Sequence, residues 1–245
     1  MPDKGEVLHA QSAVARAGGG GGVVASVLAG LGAEVDFFCA LGRDPHGEAA
    51  CAQLTKQGIA MHVAWRDEPT RRALTLLESA GERTIVTIGE RLEPRGSDQL
   101  EWGRLSEADG VYFTAGDSGA LRFARGARVL VASPRGRRAL EQGPQIDALV
   151  FSASDRSESE WAERLRSCTR LLVITEGARG GHWEGEVSGR WVAVAPPGEV
   201  HDSYGCGDSF AAGFTFALAD GRSVADAAAV GAECGARALT TVGAP

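Results

Sequence analysis

The sequence predicts an α/β fold of three layers, a mostly parallel sheet flanked by helices, and three observations carry that expectation. From Gly110 onward, short apolar runs alternate with helical stretches. Parallel strands require this order, because each crossover carries a helix over one face of the sheet. The runs are also nearly continuous in apolar residues, as strands covered on both faces are. Finally, a Gly-x-Gly-Asp turn stands directly before an apolar helix near the C-terminus, and sheets of this kind bind ligands at the carboxyl ends of their strands.

From the N-terminus, Glu6 to Ala17 mixes short apolar and polar residues with partial alternation, and the glycine run Gly18 to Gly22 follows. This reads as a strand entering a flexible turn. Val24, Val27, Leu28 and Leu31 recur at helical spacing, with Gly30 and Gly32 closing the segment, so a glycine-capped helix is expected over 23–31. Val35 to Leu41 reads as a buried strand and Gly47 to Gln57 as a second helix. Two β-rich runs, Arg72 to Leu77 and Thr84 to Ile88, flank Ser79-Ala80-Gly81-Glu82, the pattern of a β-hairpin. Strands are then expected at 110–114, 128–132, 148–151 and 171–175, with helices opening at Asp208 and Val224. The basic stretch from Arg122 to Arg138 reads as a solvated helix face.

A chain of 245 residues can bury a full core, and one α/β domain with a small appendage is expected. Its formal charge of −7 argues against a nucleic-acid partner, which would meet a basic face. A small-molecule partner fits better. No apolar run approaches the roughly 20 residues of a membrane span, and Met1 to Glu6 lacks the order of a signal peptide, so a cytoplasmic protein is expected. The 5 cysteines are scattered without metal-site spacing and read as reduced thiols. The 5 histidines are equally dispersed.

The chemistry concentrates in Asp202-Ser203-Tyr204-Gly205-Cys206-Gly207-Asp208 and the apolar helix after it. Gly205 and Gly207 can adopt positive φ and expose their amides, and the helix start adds unsatisfied N–H groups and a positive dipole end. Phosphate is the natural occupant. A carboxylate in the same turn suggests proton removal from an attacking hydroxyl beside the anion, so Asp208 is the candidate base, and the amides of Gly205, Cys206 and Gly207 are the candidate anion hole. Thr70-Arg71-Arg72 opens the hairpin, so Arg71 can face a substrate phosphate. The alternative is a charged edge strand that blocks aggregation.

The run Asp202 to Gly213, Asp-Ser-Tyr-Gly-Cys-Gly-Asp-Ser-Phe-Ala-Ala-Gly, resembles the second signature of the PfkB/ribokinase family of sugar kinases, Asp-Thr-x-Gly-Ala-Gly-Asp-x-Phe-x-x-Gly. Further blocks follow in family order. Gly18-Gly19 resembles the loop that lies against the sugar, and Leu31-Gly32-Ala33 and Leu41 to Gly47 resemble two structural blocks. Thr175 to Gly180 resembles the nucleotide turn Thr-x-Gly-x-x-Gly, and Thr240 to Ala244 the loop near the adenine. The resemblance implies a ribokinase-like body whose β lid, about residues 6–17 and 70–89, closes over the sugar and supports a homodimer.

It further implies ATP and Mg2+ as cofactors and a sugar or sugar phosphate as substrate. Thr175, Gly177, Gly180, Gly207 and Gly243 would then meet the nucleotide, and Gly18, Gly19 and Asp208 the acceptor. Asp202 would border a K+ site. Departures from the family pattern are Val23 for an asparagine, Ser133-Pro134 for Asn-Pro, and Ser152-Ala153 within the Asn-x-x-Glu block that organises magnesium through water, where Asp155 or Glu158 stands as substitute. The family's first core strand, with its sugar-binding aspartate, and its final helix are expected to be missing from residues 1–245. Alternatives are a catalytically impaired sugar- or nucleotide-binding relative and a nucleoside kinase. A dinucleotide site at Gly18 to Gly22 is the weakest reading, because no strand ending in an acidic ribose ligand follows.

Overall fold

Continuous apolar runs give the centre of the molecule its strands, as seen in a computed structural model that describes residues 7, 9–10, 13–77 and 83–243. The main sheet contains β5 (Gly110–Phe113), β6 (Val129–Ala132), β7 (Ile146–Ser152), β8 (Thr169–Thr175), β9 (Gly181–Glu184) and β10 (Gly189–Trp191). Its order is β10-β9-β8-β7-β6-β5. Strands β5 to β8 are parallel, with Val131 opposite Ala148 and Phe151 opposite Ile174, while β9 and β10 add an antiparallel edge.

Successive strand side chains point to opposite faces, and the two faces have different helical covers. Leu130, Ala132, Leu149, Phe151, Leu172 and Ile174 pack on Leu121 of α3 (Ser118–Ala124), Leu140 of α4 (Arg137–Leu140) and Leu165 of α5 (Arg156–Leu165). Val131, Ala148, Val150 and Val173 pack on Phe210, Phe214 and Ala217 of α6 (Cys206–Ala219) and on Ala227 and Ala228 of α7 (Val224–Ala238). Small residues let α6 and α7 approach closely: a Cβ added at Gly213 would lie 2.7 Å from Cys234 Sγ. The expected three-layer α/β architecture is present.

Before this sheet come α1 (Gly19–Gly30), β1 (Asp36–Gly42), α2 (Pro45–Lys56) and β2 (Ala60–Arg66), with β1 and β2 paired in parallel as a separate two-stranded sheet. Helix α2 starts two residues earlier than expected because Asp44 caps it, accepting from Gly47 N at 2.8 Å. The expected hairpin is β3 (Arg72–Leu77) and β4 (Arg83–Ile88), joined in antiparallel register.

Two N-terminal expectations need correction. Residues 6, 8, 11 and 12 of the expected lid strand lie outside the described residues, and the described ones between 7 and 17 form no strand. The glycine run is also not a flexible turn: Gly19 to Gly22 form the first turn of α1. Glycine is a poor helix former, but packing overrides propensity here. A Cβ at Gly21 would lie 3.1 Å from the Phe37 ring and 3.7 Å from the Thr114 methyl. The C-terminal end of α1 agrees with expectation. Gly32 has φ +87, its amide bonds Ala29 O, and the Ala33 amide bonds Leu28 O, which is the Schellman arrangement.

Among the described residues β1 pairs only with β2, and β5 only with β6. The unpaired edges of β1 and β5 both line one large cleft. No helix among the described residues is long and apolar enough to cross a membrane.

Candidate active site

The start of α6 sets the geometry of this cleft, whose volume is about 3670 Å³. Gly205 has φ 76, a left-handed conformation that glycine adopts without strain, and it precedes the first helical residue, Cys206. The amides of Gly205, Gly207 and Asp208 bond no described residue, whereas Cys206 N makes a long 3.5 Å contact with Ser203 O. Three donors at a positive helix end are therefore presented to the cleft.

Asp202 is buried at 4 % exposure and braces this turn. Its Oδ1 accepts from Tyr204 N at 2.9 Å and its Oδ2 from Gly243 N at 3.1 Å, so one side chain joins the anion turn to the Gly243 segment. Tyr204 extends the brace in the other direction, its hydroxyl accepting from Gly19 N at 3.1 Å. Gly18 and Gly19 thereby lie against the turn, and a Cβ at Gly18 would stand 3.3 Å from that hydroxyl.

At the carboxyl end of β8, Thr175 Oγ1 donates to Phe151 O at 3.3 Å. The following turn closes through Glu176 N to Gly180 O at 2.8 Å and Gly180 N to Gly177 O at 3.0 Å, with positive φ at both Gly177 and Gly180. Arg71 lines the same cleft from the hairpin entry and is exposed. The structure thus brings Gly18, Gly19, Arg71, Thr175, Gly177, Gly180, Asp202, Gly205, Cys206, Gly207, Asp208 and Gly243 to one cavity.

The Asp208 side chain is 14 % exposed. Its Oδ1 accepts from Arg135 Nη1 at 2.9 Å, and its Oδ2 has no partner among the described residues. Arg135 Nε donates to Glu158 Oε1 at 3.1 Å, while Glu158 Oε2 accepts from Ser152 N at 3.1 Å. Burial pushes the Asp208 pKa up from the usual carboxylate value, and the Arg135 guanidinium opposes that rise.

Arg135 corrects the sequence reading. It does not stand on a solvated helix face but in the turn Pro134–Gly136 after β6, at the carboxyl end of a central strand. That position was the available signal, because the strand ends are where such sheets bind ligands. Glu158, which with Asp155 stands as a substitute in the magnesium-organising block, holds Arg135. It also lies in the first turn of α5, where the N-cap Asp155 accepts from Glu158 N at 3.0 Å.

One buried hydroxyl near the site, Ser209 Oγ, has no hydrogen-bond partner among the described residues. An unpaired buried hydroxyl costs about 1–3 kcal/mol. Ser209→Ala is therefore expected to stabilise the fold by about 1 kcal/mol, seen as a higher denaturant midpoint with an unchanged slope. A lower midpoint would show that the hydroxyl makes a favourable contact through water.

Amides that welcome phosphate, a carboxylate with one open oxygen and a guanidinium between two acids are what a phosphoryl transfer to an alcohol needs. Comparison with known proteins agrees. The chain matches the pfkB family carbohydrate kinase model over residues 1–131 and 145–245. It is 30% identical over 242 residues to an acarbose 7(IV)-phosphotransferase of Actinoplanes sp., covering 92% of this chain and 81% of that protein. It is 27% identical over 212 residues to an ATP-dependent ribose-1-phosphate kinase of Halopiger xanaduensis, covering 80% and 71%. The structure of Arabidopsis thaliana ribokinase complexed with ribose and ATP superposes with a TM-score of 0.77 at 20% identity, covering 100% of this chain and 88% of that one. With its ribokinase-like fold and a family match over most of its length, the chain belongs to the pfkB family of carbohydrate kinases and is an ATP-dependent sugar kinase.

Proposed function

We propose that the protein transfers the γ-phosphoryl group of ATP to a hydroxyl of a sugar or sugar-like molecule, with Asp208 as the base and the 205–207 turn as the anion hole. The observation that carries this reading is that Asp208 Oδ2 and the amides of Gly205 and Gly207, none of which bonds a described residue, belong to one cleft. Asp208 takes the proton of an alcohol placed within about 3 Å, while the turn holds charge gathering on the phosphoryl oxygens. Thr175, Gly177, Gly180, Gly207 and Gly243 form the nucleotide side. Gly18, Gly19 and Arg71 form the acceptor side. The exposed Arg71, which lines the same cleft, supports an acceptor that already carries a phosphate, as the substrate named for the Halopiger relative does.

Among the described residues no cluster of three His, Cys, Asp or Glu could hold a metal ion. Mg2+ would therefore arrive on the nucleotide, held mainly by phosphate oxygens and water, which suits this small hard ion. K+ would use Asp202 and neighbouring loop carbonyls. The hairpin exposes Leu74, Ile85, Val86 and Ile88, which supports a lid that also forms a homodimer, and a monomer by light scattering would remove that part.

The test is an ADP-release panel over free sugars, sugar phosphates and nucleosides, run in sodium-only and potassium buffers. Turnover with a sugar or sugar phosphate, faster with potassium, is expected. ATP binding without turnover on any acceptor would favour the impaired-relative reading, and equal rates in the two buffers would remove the K+ site.

A further inference from the structure

Resting on the kinase reading above, we propose that Arg135 is a catalytic cation: its guanidinium stays on Asp208 during turnover and its Nη2 donates to the phosphoryl group in transit. Its donors are divided in a way that leaves one for a ligand. Nη1 is on Asp208 at 2.9 Å, Nε on Glu158 at 3.1 Å, and Nη2 bonds no described residue, with the side chain 41 % exposed to the cleft. The carboxylate is divided in the same manner, Oδ1 to Arg135 and Oδ2 open. One face of the ion pair is structural, and the other faces the reacting groups.

The guanidinium is also held in place before any ligand arrives. Glu158 is anchored by the Ser152 amide, and the Arg135 carbonyl accepts from Arg91 Nη1 at 3.1 Å while Arg91 Nη2 grips Thr114 O at 2.7 Å. Helix α1 leaves room for the pair. A Cβ at Gly20 would lie 2.6 Å from Arg135 Nη1 and 2.8 Å from Asp208 Oδ1, so no side chain fits there without parting them. The two stretches that match the family model end at 131 and resume at 145, so Arg135 stands between them.

Charge gives this placement its role. Phosphoryl transfer spreads negative charge over the oxygens of the moving group, and a pre-placed fork of donors in a half-enclosed site stabilises it without reorganising. In the step itself, the acceptor O–H proton passes to Asp208 Oδ2 and the acceptor oxygen bonds the γ-phosphorus. The bond from that phosphorus to the β-bridging oxygen breaks, its electron pair leaving with ADP. Arg135 forms no covalent bond. A competing reading makes the pair a latch that must open before Asp208 can work.

The test compares Arg135→Ala and Arg135→Lys with the wild type, folding being checked by circular dichroism. In Arg135→Ala, kcat is expected to fall about 10³-fold with the acceptor KM changed less than threefold, on the scale of losing a charged transition-state donor. Lysine keeps the charge but not the fork, so it should recover about tenfold. The acid limb of kcat/KM should also move to higher pH in the Ala variant. The charged groups facing Asp208 are Arg135 from the turn after β6, Glu158 from α5 and the buried Tyr112 of β5, and removing Arg135 leaves no cation among them.

A readout independent of turnover is calorimetric affinity for a non-hydrolysable ATP analogue, expected to weaken about fivefold in Arg135→Ala. If that variant fails to fold, the Lys variant carries the same comparisons at smaller size. A kcat within threefold of wild type with an unmoved acid limb overturns the proposal. A kcat above wild type overturns it in favour of the latch, and unchanged analogue affinity also counts against it. A wild type inactive on every acceptor would sink the kinase reading itself, whereas an active wild type indifferent to residue 135 sinks only this inference.

Discussion

Asp208→Asn is expected to fold, to bind ATP and to lose at least about 100-fold in kcat, the scale of a missing general base. The replacement is nearly isosteric, and its amide oxygen can still accept from Arg135, so the site should keep its shape. What it loses is the oxygen without a partner, Oδ2, which becomes part of an amide that holds no proton from an alcohol. Initial rates of ADP release at saturating acceptor measure the effect, and a near-normal rate would refute the assignment. The pH dependence has a definite sign. Burial raises the pKa of Asp208 above that of a free carboxylate, against the opposing pull of Arg135, and only the ionised form can accept the proton. Wild-type kcat/KM should therefore fall as pH drops through this raised value. The Asn variant should lack that limb.

The largest loss of stability is expected from Gly180→Ala. Gly180 has φ 82 and ψ −114, a region essentially reserved for glycine. An added Cβ would meet Trp191 O at 2.3 Å and Ala193 N at 2.8 Å, both backbone atoms that cannot swing aside. Strain and overpacking together should cost about 3 kcal/mol, which is large against the 5–15 kcal/mol that hold a typical fold. Gly177 provides the control. Its φ is also positive at 60, but nothing lies within 4 Å of its Cβ position, so Gly177→Ala should cost only the backbone term of about 1 kcal/mol. Denaturant midpoints of the two variants decide the matter, and equal costs would show that crowding at Gly180 relaxes.

The legible parts of this fold were those where a single signal dominates. Strands β5 to β8 lie under helices on both faces, so their central residues are apolar and could be read directly. The glycine turn before α6 was legible because glycine spacing and a following apolar helix are local properties. Strand β2 gave no such signal, since Ala60 to Arg66 mixes His62 and Arg66 with apolar residues and belongs to a sheet of only two strands. The antiparallel edge was missed because β9 and β10 have 4 and 3 residues, too few for a periodicity.

Two readings went astray for a shared reason. Gly19 to Gly22 have low intrinsic helix propensity, and the stretch around Arg135 carries the composition of a solvated surface, yet each is placed by a distant partner. Gly20 makes room for Asp208, 188 positions away in a chain of 245, and Arg135 bonds it across a separation of 73. The sequence singles out Asp202 as a carboxylate that can border a cation, and the structure adds a long-range role, its two oxygens accepting from the Tyr204 and Gly243 amides.

The sequence by itself determined the layered α/β body, the hairpin and the loop that presents amides beside a carboxylate, because these follow from local pattern and backbone chemistry. Only the tertiary structure decided that a guanidinium is shared by Asp208 and Glu158, and that a glycine-rich segment is a helix start rather than a turn. Those outcomes depend on which surfaces are pressed together, and a helix end, a strand end and a lone arginine acquire their chemistry only from what packing puts within 3 Å of them.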